Sequence, residues 1–237
     1  MIIISSMDAE TQVSLLLENY SELSVAQWTS DVILLKGFIH IFRNACNFTI
    51  NERYEVEVKI VLNSSALPVI YDTGRAIVAS YPHRYSDGSL CLETDTYIRM
   101  RFADGLTLLD WMEEIVEPYF FSYEYYTRFG VFPFGERPHG IEGIIQTYQE
   151  LLHESDPKVV LRLMLFCVEG RYRGHNDCPC GSGKNSRKCH GRYLLPLMVD
   201  TKKNEIVSDD LDYIRKVIIE YDTTINNMSK TKLTGNA

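Results

Sequence analysis

The sequence predicts an α+β fold, in which an antiparallel four-stranded meander is flanked by helices and followed by a small helical C-terminal module. Two patterns support this prediction. Within residues 54–62, charged and apolar side chains alternate, as in a strand with one face in water. Within residues 8–24, apolar residues recur at helical spacing, and Asp8 is available as an N-cap. The 237 residues fit one ordinary domain with an appendage, or two small domains.

The extended segments come in a row, which is typical of a meander. Strands are expected at residues 32–42, 54–62 and 69–71, the last leading on to 76–78, and a short extended piece is expected at 97–102. Helices are expected at residues 106–119 and 141–153, where apolar residues lie on one side.

A new module is predicted to begin at Asp156, an N-cap residue followed by proline in the first helical turn. This helix should run to Gly170, and Cys167 on it is expected to be a buried small apolar residue. The sequence therefore divides into residues 1–155 and residues 156–237.

Charge is distributed unevenly along the chain. Residues 1–155 carry 10 Lys and Arg against 22 Asp and Glu, a net charge of −12, whereas residues 156–237 carry 14 against 10, a net charge of +4. Binding to nucleic acid requires clustered positive charge, so the acidic first domain argues against a nucleic-acid partner.

The sequence predicts a cytoplasmic protein. Its first residues lack the basic flank of an export signal, and no apolar run approaches the roughly 18–20 residues of a membrane span. The six cysteines are therefore expected in a reducing compartment, where metal binding or catalysis is a commoner role than disulfide formation.

Residues 81–92 (YPHRYSDGSLCL) contain a polar, glycine-bearing turn that ends in one cysteine between two leucines. A thiol held at the edge of a core in this way can act as a nucleophile, and Cys91 is the candidate. This segment resembles the active site of ubiquitin-conjugating enzymes, where a His-Pro-Asn triplet precedes a Gly-x-(Ile/Leu)-Cys-Leu run. In that register residues 81–83 take the place of the triplet, of which only the proline is retained.

The resemblance covers roughly residues 10–153, and it implies a conjugating-enzyme fold with the passenger carried as a thioester on Cys91. His83 takes the place of the triplet asparagine, so its imidazole is expected to help hold the oxyanion; alternatively, it is a turn residue that bonds to backbone. Tyr81 is expected to serve packing. His139, with Glu136, is a candidate acid or base for the incoming amine, or else a helix-capping or solvent-exposed residue.

Negative charge surrounds the predicted nucleophile. Asp87, Glu93 and Asp95 should disfavour its thiolate form, which suits an enzyme that accepts a preformed thioester. The resemblance further implies a partner protein with a C-terminal glycine. The resemblance implies that this partner is a cyclic-oligonucleotide synthase of a bacterial antiphage operon, or a ubiquitin-like protein of a bacterial modification operon.

Two other functions are compatible with the same residues. One is a non-catalytic binding module of this fold, in which the cysteine is incidental. The other is a cysteine hydrolase that uses Cys91 with His139.

Residues 178–191 (CPCGSGKNSRKCHG) bring three thiols and one imidazole together among glycines. Cys178, Cys180, Cys189 and His190 form a closed ligand set that suits tetrahedral, structural Zn²⁺. The segment resembles the SEC-C motif, a zinc-binding module of the SecA translocation ATPase. Basic residues around it could offer a docking surface for an acidic protein or simply balance the thiolate charge.

Overall fold

The computed structural model describes the backbone of residues 1–234 and the side chains of residues 1–220. The chain forms two compact units, Met1–Pro138 and His139–Ala237. The sequence predicts the division after residue 155. In the structure the division comes after Pro138, and the helix expected at residues 141–153 of the first domain lies in the second unit. Residues 235–237 of the predicted C-terminal module lie outside the described residues.

The first unit contains a four-stranded antiparallel sheet in which each strand pairs with the next along the chain. This confirms the predicted α+β class and the meander. Its strands are β1 (Leu23–Trp28), β2 (Val32–Ala45), β3 (Phe48–Val61) and β4 (Val69–Asp72).

The alternation in the sequence corresponds to the two faces of β3. Tyr54, Val56, Val58 and Ile60 are buried in the core, whereas Glu55 and Lys59, which alternate with them, are exposed. A strand directs successive side chains to opposite faces, so one face is apolar and the other is wet.

The first helix, α1 (Ser6–Asn19), is shorter than the predicted residues 8–24, and its N-cap is Ser5 rather than Asp8. The Ser5 hydroxyl accepts a hydrogen bond from the Asp8 N–H at 3.2 Å. Residues from Leu23 onward instead pair with β2 as strand β1, which the sequence did not predict. Hydrogen bonding to a neighbouring strand overrides the helical spacing there.

Two predicted extended segments are wrong. Residues 97–102 lie in the helix α2 (Asp95–Ala103), which is capped by the side chain of Thr94. Their apolar and polar residues alternate over a stretch too short to separate strand from helix. Residues 76–78 belong to a loop, in which the N–H of Ile77 donates to the carboxylate of Asp72 at 2.6 Å.

The helix expected at residues 106–119 is longer and has three parts: α3 (Leu108–Trp111), a π-helical turn (Met112–Val116) and α4 (Glu117–Phe129). Pro118 lies in the first turn of α4, next to the π-helical turn. Because proline has no N–H to donate, a widened turn at this point lets the helix continue. Trp111, Phe120 and Phe121 are fully buried in the core of this unit.

The second unit is helical. It contains α5 (Gly140–Leu152), α6 (Pro157–Glu169), a 3₁₀ turn (Ser186–Lys188), α7 (Gly191–Val199) and α8 (Thr201–Thr234). The side chain of Asp156 accepts from the Lys158 N–H at 2.8 Å, which confirms the predicted cap of α6. Cys167 is buried, as predicted.

Among the described residues, no helix combines the length and the apolar character that crossing a membrane requires.

Candidate active-site cysteine and metal centre

A tight turn at residues 85–89 of the first unit precedes Cys91. The Tyr85 N–H donates to the Ser89 carbonyl oxygen at 2.9 Å, and the Gly88 N–H donates to the Tyr85 carbonyl oxygen at 3.0 Å. Gly88 has a φ of +90°, a conformation that favours glycine. Asp87 accepts from both the N–H and the hydroxyl of Ser89, at 3.0 and 2.6 Å. The turn residues of the motif therefore close this loop.

Backbone hydrogen bonds tie the end of the turn to the sheet and to the start of the motif. The Leu90 N–H donates to the Ile70 carbonyl oxygen on β4 at 3.0 Å. The Cys91 N–H donates to the His83 carbonyl oxygen at 2.9 Å. The phenol of Tyr119, on α4, donates to that same oxygen at 2.9 Å. Cys91 and His83 are thus fixed to each other through the main chain.

Cys91 is only 8% exposed, which is less accessible than the sequence predicts for a presented nucleophile. Its position at the edge of the core stays a prediction. The hydroxyl of Tyr85, a residue that is 53% exposed, forms a hydrogen bond with the thiol.

The environment of Cys91 favours the neutral thiol. Burial raises the pKa of Cys91 above its ordinary value of 9.0, and the carboxylates of Asp95 and Glu93 raise it further. The hydrogen bond from Tyr85 acts in the opposite direction. The predicted effect of Glu93 and Asp95 is confirmed, whereas Asp87 instead serves the turn.

The imidazole of His83 lies beside the thiol, with a ring nitrogen within 4.8 Å of the Cys91 sulfur. The ring packs edge-on against Phe132, with centroids 5.1 Å apart. Its Nε2 lies 3.6 Å from a carboxylate oxygen of Glu136. The geometry therefore pairs Glu136 with His83, a relationship that the sequence did not predict because the two residues are far apart in the chain.

Tyr81 is a packing residue, as predicted. It is 4% exposed, and its ring contacts Tyr119, Tyr123 and Tyr126 at centroid distances of 5.8, 5.0 and 5.7 Å.

His139 begins the second unit at the N-cap position of α5. It is exposed, and its side chain makes no capping hydrogen bond. A role for His139 in acid or base chemistry at Cys91 stays a prediction.

The four predicted metal ligands come together in the second unit. The sulfurs of Cys180 and Cys189 are 3.6 Å apart, and Nδ1 of His190 lies 3.4 Å from the Cys178 sulfur and 3.3 Å from the Cys189 sulfur. All four donor atoms lie within 4.8 Å of one another. Tetrahedral Zn²⁺ with ordinary bond lengths places such donors about 3.5–3.8 Å apart. The ligand set therefore fits zinc.

The backbone of residues 176–192, here called the knuckle, folds tightly and requires glycine at position 191. The Cys178 N–H donates to the Lys184 carbonyl oxygen at 2.8 Å, which folds the segment back on itself. A Cβ on Gly191 would lie 2.4 Å from the Tyr172 hydroxyl oxygen and 2.6 Å from the Ser186 carbonyl oxygen. Only glycine fits where the chain leaves the ligands and enters α7.

Hydrogen bonds to Ser182 favour the thiolate form of Cys180. Burial opposes its ionisation, but hydrogen bonds from the hydroxyl and N–H of Ser182 help to lower the pKa of Cys180 to about 6. Because zinc binds the thiolate, hydrogen bonds that favour the ionised form of Cys180 also favour metal binding.

Sequence reasoning missed one neighbour of the metal centre, Glu154. A carboxylate oxygen of Glu154 lies 3.5 Å from Nε2 of His190, the ring nitrogen that does not face the sulfurs. Glu154 lies in the turn between α5 and α6, well before the first cysteine, so spacing within the knuckle contains no sign of it.

The basic side chains around the knuckle are all exposed: Arg171, Arg173, Lys184, Arg187, Lys188 and Arg192. Both expectations for them, a docking surface and charge balance, stay open.

Residues 176–192 match the family model of the SEC-C motif. The match contains all four ligands, so the predicted resemblance of this segment is confirmed and the site could hold a metal ion such as zinc. No solved structure matches the chain.

Proposed function

We propose that this protein is a ubiquitin-conjugating-enzyme-like acyl transferase that carries the C-terminal glycine of a partner protein as a thioester on Cys91. The proposal rests first on the main-chain bond that sets Cys91 beside His83 at 2.9 Å. A four-stranded antiparallel meander precedes the cysteine turn, which is the order of elements that the resemblance implies.

The chemistry proceeds in two transfers. The Cys91 sulfur attacks an activated C-terminal carbonyl of the partner, and the activating group leaves. An acceptor amine then attacks the thioester carbonyl, loses a proton, and releases the Cys91 thiolate. A thiol with a raised pKa is neutral in the resting enzyme, so it passes its proton to solvent water as it attacks. In this proposal His83 donates to the oxyanion in both transfers, a role supported by a ring nitrogen within 4.8 Å of the Cys91 sulfur.

The partner belongs to the same proposal. We infer a protein with a C-terminal glycine, most simply the cyclic-oligonucleotide synthase of an antiphage signalling operon, with a ubiquitin-like protein of a modification operon as the alternative. The zinc knuckle is structural in this scheme because its four ligands leave no open coordination position.

A second candidate is a non-catalytic binding module of the same fold. The low exposure of Cys91 and its raised pKa favour this reading, because a reactive cysteine is commonly more accessible and more acidic.

Trapping the partner on residue 91 distinguishes the acyl transferase from a binding module and from a hydrolase. Cys91→Lys protein recovered from cells that contain its native operon should carry the partner through an amide bond that resists reducing agent, whereas the wild-type adduct should be reducible. Cys46→Lys is the matched control, since Cys46 is an exposed thiol in the turn between β2 and β3. A binding module gives no adduct in either form, and a hydrolase releases the shortened partner instead of retaining it.

A further inference from the structure

We propose that Glu154, which lies outside the matched motif, is a positioning residue of the metal centre and couples zinc binding to the turn between α5 and α6. The turn spans residues 153–156, between the last residue of α5 and the first residue of α6.

Hydrogen bonds within the turn hold the carboxylate of Glu154 in place. The Glu154 N–H donates to the Gln149 carbonyl oxygen at 3.1 Å. Its Oε1 accepts from the Asp156 N–H at 3.1 Å. One oxygen therefore fixes the turn, and the other, Oε2, faces His190 at 3.5 Å.

The two nitrogens of His190 have separate neighbours. Nδ1 faces the sulfurs of Cys178 and Cys189, at 3.4 and 3.3 Å, and Nε2 faces Glu154. When Nδ1 binds the metal, the ring proton must reside on Nε2, where a carboxylate can accept it. Such a carboxylate fixes the tautomer and the orientation of a histidine ligand and makes it a stronger base.

The contact between Glu154 and His190 is largely shielded from solvent. The His190 side chain is 11% exposed and the Glu154 side chain 22% exposed, so water and salt screen their attraction less than they would on the surface.

The same turn makes a second contact with the helix α7. The ring of His153 stacks on Tyr193 with centroids 4.5 Å apart and planes 27° apart. Tyr193 lies on α7, three residues after His190. The turn at residues 153–156 therefore contacts both the ligand His190 and the helix α7 that follows it. The residues that support the metal centre thus include the turn between α5 and α6.

The test is the zinc affinity of the full chain, measured by competition with a chromophoric chelator. Glu154→Gln and Glu154→Ala should each bind zinc about 10–100-fold more weakly than the wild type. Glu150→Gln, an exposed glutamate at the end of α5, is the matched control and should bind as tightly as the wild type.

A spectroscopic signature distinguishes positioning from general stability. In the zinc-loaded wild type and in Glu150→Gln, the Nε2–H proton of His190 should give a slowly exchanging proton resonance, which should be lost in Glu154→Ala. If Glu154→Ala fails to fold with zinc, Glu154→Gln decides the question. Wild-type zinc affinity in Glu154→Gln would overturn the proposal.

Discussion

The carbonyl oxygen of His83 accepts two hydrogen bonds, one from the backbone N–H of Cys91 and one from the phenol of Tyr119, each at 2.9 Å. His83 is therefore linked to the candidate nucleophile through the main chain. A ring nitrogen of its imidazole lies within 4.8 Å of the Cys91 sulfur.

The first prediction concerns His83. His83→Ala should slow transfer from Cys91 to the acceptor about 100–1000-fold, because one oxyanion donor is lost. His83→Asn is the matched control and should retain most of the rate, since an amide N–H can replace the imidazole N–H. The measurement is single-turnover discharge of the loaded protein. Equal rates for wild type and His83→Ala would eliminate the oxyanion role.

The second prediction concerns the support beneath His83. Tyr119→Phe removes one donor from the His83 carbonyl oxygen and should lower the free energy of unfolding by about 0.5–1.5 kcal/mol. The loss stays modest because the Cys91 N–H still donates to that oxygen. Denaturant unfolding measures it, with Tyr125→Phe on the same helix as the control. Matching losses in both variants would argue against a special role for this bond.

The third prediction concerns the pH dependence of thiol reactivity. The pKa of Cys91 is raised above 9.0, and the Tyr85 hydrogen bond partly offsets that rise. Tyr85→Phe should therefore raise the pKa further, so that less thiolate is present at any pH below the midpoint and alkylation slows. Asp95→Asn removes a nearby negative charge and should have the opposite effect.

Iodoacetamide alkylation of Cys91, followed by mass spectrometry from neutral to alkaline pH, tests this pair of variants. The background is zinc-loaded protein carrying Cys46→Ser, so that the exposed thiol does not compete. Faster alkylation of Tyr85→Phe would show instead that the phenol acts mainly as a cover over the sulfur.

The fourth prediction concerns the metal centre. Cys178→Ser should abolish stoichiometric zinc binding and unfold the knuckle, because structural zinc contributes about 10–16 kcal/mol of apparent binding free energy in zinc-finger peptides. Elemental analysis and circular dichroism check both effects, with Cys46→Ser as the control. Wild-type protein purified without added metal should contain zinc, and its absence would contradict the assignment.

The sequence alone determined the features that depend on local spacing. The four metal ligands lie within one short segment, so their residue types and intervals predict the site without knowledge of the fold. The helix α6 was equally predictable, because Asp156 and Pro157 mark its start locally. The alternation along β3 predicted a half-buried strand for the same reason.

Only the tertiary structure decided which distant groups meet. It set Glu136 beside His83 and Glu154 beside His190, and it turned residues 23–28 into a strand through pairing with β2. It also showed how far Cys91 is buried, which depends on side chains brought in by the turn and by its hydrogen-bonding neighbours. These relationships join residues that are separated in the chain, and local propensity contains no information about which of them will be neighbours after folding.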